Sequence, residues 1–321
     1  MKVGILLWDE SGIDTDGAGL IEYGRAHGHE MSTFLLEDVS VRRSDGAAKV
    51  LFGGVDADRF DAVISRANLF GDHWHDALHD TSSWRDRVER LSIISRALGP
   101  RLFDSVETWL NVWSKFLMLH RLAEGGFPVP PFRSVTTMDE VAEALADWDG
   151  DVIIKPSYGL RGINVERVTD LAADRDLVEG LLKAHGTMMC QPFYSTQYGE
   201  YRISVAGETT PINMLKLPPA HTWRCKTYEG ASWERIDPPD ELIDLSIRAT
   251  RHMGLTYAAL DILPHPSGGW VILEVNAVPG FLNMFGEPGC TEGLAGIFDW
   301  VEKQLGSLSD RRGHDAEADH G

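Results

Sequence analysis

Cations are scarce in this chain. Thirty Lys and Arg stand against 49 Asp and Glu, a formal net charge of -19. That balance argues against nonspecific binding to nucleic acid or to an anionic membrane. It leaves room for a nucleotide, which needs only a local basic patch. Cysteine is scarcer still. Cys190, Cys225 and Cys290 show no paired spacing, which argues against a disulfide framework or zinc ribbon and fits a reducing compartment. No stretch approaches the ~18 apolar residues of a membrane span. The opening "MKVGILLWDESG" has one Lys and too short an apolar run for a signal peptide. The expectation is a soluble cytoplasmic protein without nucleic-acid or membrane partners, with a homo-oligomer left open.

What is present reads as globular and divided. The 321 residues exceed one ordinary core and suit two or three compact units. "KVGILLW" (2–8), "MSTFLLE" (31–37) and "FDAVISRA" (60–67) read as strands alternating with helices, ahead of a short strand at "RLFD". Alternation of that kind implies a parallel sheet. This N-terminal α/β unit covers 1–105. Residues 106–190 form a small unit. It opens on a single helix over 107–124, and "FPVPPF" is extended because each Pro biases its predecessor away from helix. Residues 191–306 form a larger unit with hairpin-spaced, antiparallel strands and a last helix near 291–305. The polar tail, 307–321, reads as disordered.

In "GGWVILEVNAVPGF" (268–281) an apolar strand carries Glu274 and Asn276. Strand side chains alternate, so these two share a face. "AALDIL" (258–263) is a second apolar strand with one acid, Asp261. Three hard oxygen donors across a hairpin suit Mg²⁺, and the competing reading is a buried acid paired with a base. "DVIIKPSYGLRGINV" (151–165) places Lys155 at a strand end before a loop with Gly159 and Gly162, where backbone can lie close over phosphates. The bland reading is a hairpin with a lysine at its rim. Other motifs fail on spacing. "GAGLIEYG" (17–24) has four residues between its second and third Gly, where the dinucleotide fingerprint has two. "DHWHDALHD" offers His73, His75 and His79, which are more often exposed helix residues than metal ligands. No G-x-x-x-x-G-K-[ST] loop occurs.

In this order the motifs resemble the ATP-grasp superfamily, and within it the RimK-like carboxylate–amine ligases, from about Phe103 to Leu305. "SKFLMLHRLAEGGFPVPPF" is similar to the family's lysine helix, and "IIKPSYGLRGINV" to its phosphate-loop strand. "QPF" (191–193) sits where the adenine hinge lies. "EYRISVAGE", "TWRCKTYEGAS", "LDIL" and "LEVNAVPG" resemble the strands that follow. The N-terminal unit matches only in pattern and in "DAVISR". The resemblance implies an ATP-grasp architecture, with an N-terminal α/β domain and two α+β subdomains clasping ATP. It further implies two Mg²⁺ ions, with Mn²⁺ an alternative, on Asp261, Glu274 and Asn276. Lys115 and Lys155 contact phosphates, Gln191, Pro192 and Phe193 meet adenine, and Glu200 meets the ribose. Arg202, Lys216 and Arg224 stabilise the transferring phosphoryl group. Lys226 stands where the family has Asn and is a candidate for a substrate carboxylate. Tyr158 and Arg161 replace smaller loop residues.

The implied activity is ADP-forming ligation of an amino acid or peptide carboxylate to an amine through an acyl phosphate. Alternatives are a cyclo-ligase closing a ring within one molecule, a peptide-modifying ligase that reads a leader segment, and a nucleotide-binding regulator without turnover. Arg66, after the strand "FDAVIS", is the candidate anchor for a substrate carboxylate, because ligands gather at the carboxyl ends of parallel strands.

Overall fold

The computed structural model describes residues 1–7, 15–44, 47–66, 81–159, 162–226, 229–277, 279 and 289–318. The histidines 73, 75 and 79 and Arg161 lie outside these residues. The N-terminal unit runs β1 (Lys2–Leu6), α1 (Thr15–Ala26), β2 (Glu30–Phe34), β3 (Val39–Ser44), β4 (Ala47–Phe52), β5 (Val55–Asp56), β6 (Ala62–Ser65), α2 (Thr81–Leu98) and β7 (Leu102–Phe103). Strands β2-β1-β6-β7 form the expected parallel sheet. Strands β3 to β5 make a separate antiparallel sheet not foreseen from the sequence.

The small unit holds α3 (Val106–Trp113), α4 (Lys115–Glu124), β8 (Arg133–Val135), α5 (Met138–Asp147), β9 (Val152–Pro156), β10 (Glu166–Val168), α6 (Arg175–His185) and β11 (Met188–Pro192). The single helix expected over 107–124 is instead two. Ser114 is extended (φ -82, ψ 120), and its hydroxyl accepts from Leu117 N, so a new helix starts at Lys115. The sheet order is β10-β9-β11-β8. Its core is Val152, Ile154, Val178, Met188 and Cys190 against α5 and α6.

The large unit holds β12 (Glu200–Ala206), β13 (Thr209–Leu217), β14 (Ser232–Arg235), α7 (Asp240–His252), β15 (Tyr257–Pro264), β16 (Trp270–Ala277) and α8 (Gly289–Ala318). All its strand pairs are antiparallel, in the order β14-β13-β12-β15-β16. One face of this sheet, with Ile203, Leu260, Ile262 and Val275, packs on Met118 and Leu119 of α4 and on Leu242 and Ala249 of α7. The other face, with Ile212, Met214 and Tyr257, shares a core with Val3, Ile5 and Ile64 of the N-terminal sheet and Ile297 and Phe298 of α8. The tail expected to be disordered from 307 is helical through Ala318. A helix already formed from Gly289 extends by one backbone bond per residue once its costly first turn exists. The overall class, a parallel α/β unit with two α+β units, is the one expected.

Candidate active site

Apolar burial on one side of β15 and β16 fixes what stands on the other. Asp261 and Glu274 are directly opposite in register, and Asn276 is opposite Ala259, so all three side chains share a face. Behind them Leu260, Ile262 and Val275 are sealed against α4 and α7. Asn276 Nδ2 donates to Asp261 Oδ2 at 3.1 Å and to Ala259 O at 3.2 Å. Its carbonyl oxygen is thereby the atom left to act as acceptor.

Cations converge on this face. Arg202 Nη1 donates to both oxygens of Asp261, at 3.0 and 3.1 Å, and Lys216 Nζ donates to Oδ1 at 2.7 Å. Lys216 also pairs with Glu200, its neighbour across β12 and β13. Burial raises the Asp261 carboxyl, yet Lys216 and Arg202 outweigh that and hold it at about 2. Burial pushes Glu200 up, with Lys216 opposing. Burial lowers Lys216, but Asp261 and Glu200 prevail and raise it.

Lys115 opens α4, so the break at Ser114 is what points it at the site. Its ammonium pairs with Glu274 and donates to Gly159 O at 3.3 Å. Its amide donates to Ser157 O at 3.0 Å, and the Ser114 and Ser157 hydroxyls are 3.0 Å apart. Lys155 of β9 lies opposite Met189 of β11, a residue that packs in the large unit's core. It is 7% exposed, and burial, then Lys115, lower its ammonium to about 8, with Glu274 and Glu200 opposing. No carboxylate among the described residues pairs with it.

Gln191 and Pro192 end β11, and Phe193 N donates to Asp151 O at 3.0 Å. Gln191 is buried and its Oε1 has no hydrogen-bond partner. Arg167 stacks 3.8 Å above the Phe193 ring while gripping Asp151 with two bonds of 2.8 and 2.6 Å. The remaining candidates contact other groups. Arg224 donates to Val165 O at 2.7 Å and pairs with Glu166. Lys226 donates to Gly162 O at 2.8 Å. Arg66 lies at the end of β6, where its Nη1 donates to Tyr257 Oη at 3.4 Å. Glu166 and Tyr257 were not singled out from sequence. Each lies beside a motif, but its partner is remote in sequence, and only the fold brings the two together.

The donor set can be tested for a divalent cation. Two carboxylates and an amide oxygen on adjacent, rigidly backed strands match the hard ligands Mg²⁺ prefers. Among the described residues no group of three or more His, Cys, Asp or Glu clusters as a metal site. This set therefore suits an ion that takes its remaining ligands from water or phosphate.

A model of the RimK-like ATP-grasp domain matches residues 113–290. A probable alpha-L-glutamate ligase of Haemophilus influenzae is 28% identical over 207 residues, 64% of this chain and 67% of that protein. A tetrahydromethanopterin:alpha-L-glutamate ligase of Methanosarcina acetivorans is 25% identical over 317 residues, 88% of this chain and 94% of that protein. Among solved structures, the ATP-grasp ligase PsnB complexed with a minimal precursor superposes with a TM-score of 0.72 at 22% identity, covering 94% of this chain and 98% of that one.

Proposed function

The chain belongs to the RimK-like ATP-grasp family of ATP-dependent carboxylate–amine ligases, and from that premise we propose how its residues divide the reaction and what it joins. A substrate carboxylate oxygen attacks the γ-phosphorus of ATP, and ADP leaves. An amine nitrogen then attacks the acyl carbon, expels phosphate and loses its proton. No enzyme nucleophile is needed, so the side chains act by positioning and by neutralising charge.

The observation that carries this reading is Lys155. It is a buried ammonium paired with no carboxylate among the described residues, beside Lys115 and within the field of Glu274 and Glu200. A buried cation of that kind is stabilised by an incoming anion. Lys115 and Lys155 bind the β- and γ-phosphates under the loop that holds Gly159 and Gly162. Asp261, Glu274 and Asn276 hold Mg²⁺, which when bound offsets phosphate charge. Arg202 and Lys216 turn toward the transferring phosphoryl group, and Arg224 flanks it. The backbone of Gln191–Phe193 receives adenine and Glu200 the ribose. The second substrate is an amino acid or peptide, with a carboxylate held by Arg66. The H. influenzae and M. acetivorans relatives, by name, ligate alpha-L-glutamate, which makes an acidic amino acid the first substrate to try.

The test is phosphate release with ATP and Mg²⁺ across amino acids, single and paired, with product masses. An amide product formed only when a carboxylate and an amine partner are both present supports intermolecular ligation. Turnover of one compound to a product lighter by one water points to ring closure. No release with any partner, while ATP still binds, points to a regulator.

A further inference from the structure

The segment Thr222–Lys226, which follows β13, is fastened at three places, the last two of them on the small unit. Thr196 Oγ1 donates to Trp223 O at 2.5 Å, and Phe193 meets the Trp223 ring edge-on with centroids 5.6 Å apart. Arg224 grips β10 through Val165 O and Glu166. Lys226 reaches furthest. Its Nζ donates to Gly162 O at 2.8 Å, with Glu229 Oε1 3.5 Å away.

The contact at Gly162 bears on the glycine loop itself. Gly162 has φ +65, and a Cβ built there would lie 2.7 Å from Lys226 Cε. The glycine therefore permits both the turn and the close approach of the lysine stem. An asparagine at 226 would end well short of the Gly162 carbonyl.

We propose that Lys226 is a positioning residue that latches Gly162, at the end of the small unit's glycine loop, to the large unit, so that this end of the loop is held over the nucleotide site before ATP arrives. The proposal rests on the reading that this loop covers the ATP phosphates. Ordering a loop costs conformational entropy. A loop already tied down leaves less of that cost for ligand binding to offset. On this reading Lys226 acts through Gly162, which is a different role from the substrate contact suggested by its place in "TWRCKTYEG".

The experiment uses the full chain and its Lys226→Asn, Gly162→Ala and double variants. Amide hydrogen exchange is read over 157–164 without nucleotide, AMPPNP affinity by calorimetry, and KM for both substrates. Lys226→Asn should speed loop exchange and weaken AMPPNP about tenfold, the worth of one charge-assisted hydrogen bond. The ATP KM should rise in step, with the second substrate's KM unmoved. Gly162→Ala displaces the lysine stem, so it should reproduce the loosened loop, and the double variant should be no worse than the sum's larger part. Unchanged loop exchange in Lys226→Asn overturns the latch. A rise confined to the second substrate's KM overturns it in favour of a substrate contact. Faster loop exchange with AMPPNP affinity intact, both there and in Lys155→Met, overturns the nucleotide-loop reading and leaves the latch standing.

Discussion

Burial and the neighbouring Lys115 lower the Lys155 ammonium to about 8. Two consequences have opposite sign. The unfolded chain binds a proton that the folded one has released between about 8 and 10.5, so this residue makes the protein more stable as pH rises across that window. Phosphate binding needs the charged form, so ATP affinity should fall as pH rises through about 8. Lys155→Met should remove that fall and raise the ATP KM more than the second substrate's KM. Calorimetry from pH 6.5 to 9.5 checks both, and an identical pH profile in the variant would dismiss Lys155 as a phosphate ligand. Glu274 presents a different case. Its side chain is 34% exposed and its carboxylate pairs with Lys115. Glu274→Gln keeps the shape and removes the charge, so Mg²⁺ binding weakens and Lys115 loses its partner. Turnover should drop about 100-fold or more, as for loss of an electrostatic catalytic group, with the melting temperature little changed. Near-normal turnover at limiting Mg²⁺ would remove Glu274 from the donor set.

Helix α4 owes its start to one hydroxyl. Ser114 caps it through Leu117 N and meets Ser157 beside the glycine loop. Ser114→Ala should cost about 1 kcal/mol, the usual worth of an N-cap, read by denaturant unfolding. It should also raise the ATP KM, because Lys115 is the first residue of that helix. The same element shows where sequence reasoning stops. Residues 107–124 have helical character throughout, and a single serine is a weak signal against continuation, so the break that aims Lys115 was invisible. Strands β9, β15 and β16 were legible because each is an apolar run interrupted by one charged residue, and register alone then brings Asp261 opposite Glu274. The β3–β5 sheet was not legible. "VSVRRSDGAAKVLFGGVD" mixes polar and small residues, and among its described residues only Val39 and Phe52 are buried in the core, so no run of apolar residues announces its strands. Glu166 and Tyr257 escaped for a related reason, since their partners are remote in sequence.

At the scale of the whole molecule, the N-terminal unit and the large unit meet where β6 and β7 end and β15 begins. Asp104, just past β7, is 3% exposed with φ 64, and its Oδ1 accepts from Thr256 N at 2.6 Å. Its Oδ2 has no hydrogen-bond partner, and burial, against the Thr256 bonds, pushes the carboxyl up to about 7. The folded state then keeps a proton that the unfolded state releases near 3.8, so stability falls as pH rises from about 4 to about 7. Asparagine tolerates positive φ and keeps the acceptor for Thr256. Asp104→Asn should therefore melt higher than the parent at pH 8, with the gap closing by pH 4. A gap independent of pH would mean that this carboxyl does not titrate in the window. At the same junction Tyr257, fully buried, donates its one hydroxyl proton to Ser65 O and accepts from Arg66 Nη1, both at 3.4 Å. Tyr257 and Asp261 are four residues apart on one face of β15, about 13 Å at the usual strand rise. An anchor at Arg66 is thus offset along β15 from the Asp261 donors. It fits a second carboxylate, at the remote end of the same substrate or on the amine partner. A guanidinium grips such a group with two parallel bonds that lysine cannot copy. Arg66→Lys should raise the KM of the carboxylate-bearing partner by about 1.5–3 kcal/mol in free-energy terms and leave ATP binding alone. Tyr257→Phe, which removes only the hydroxyl that steadies Arg66, should shift the same KM in the same direction by less. Steady-state kinetics with each substrate varied separates these outcomes. If both variants bind ATP and the second substrate as the parent does, Arg66 serves only to join the two units.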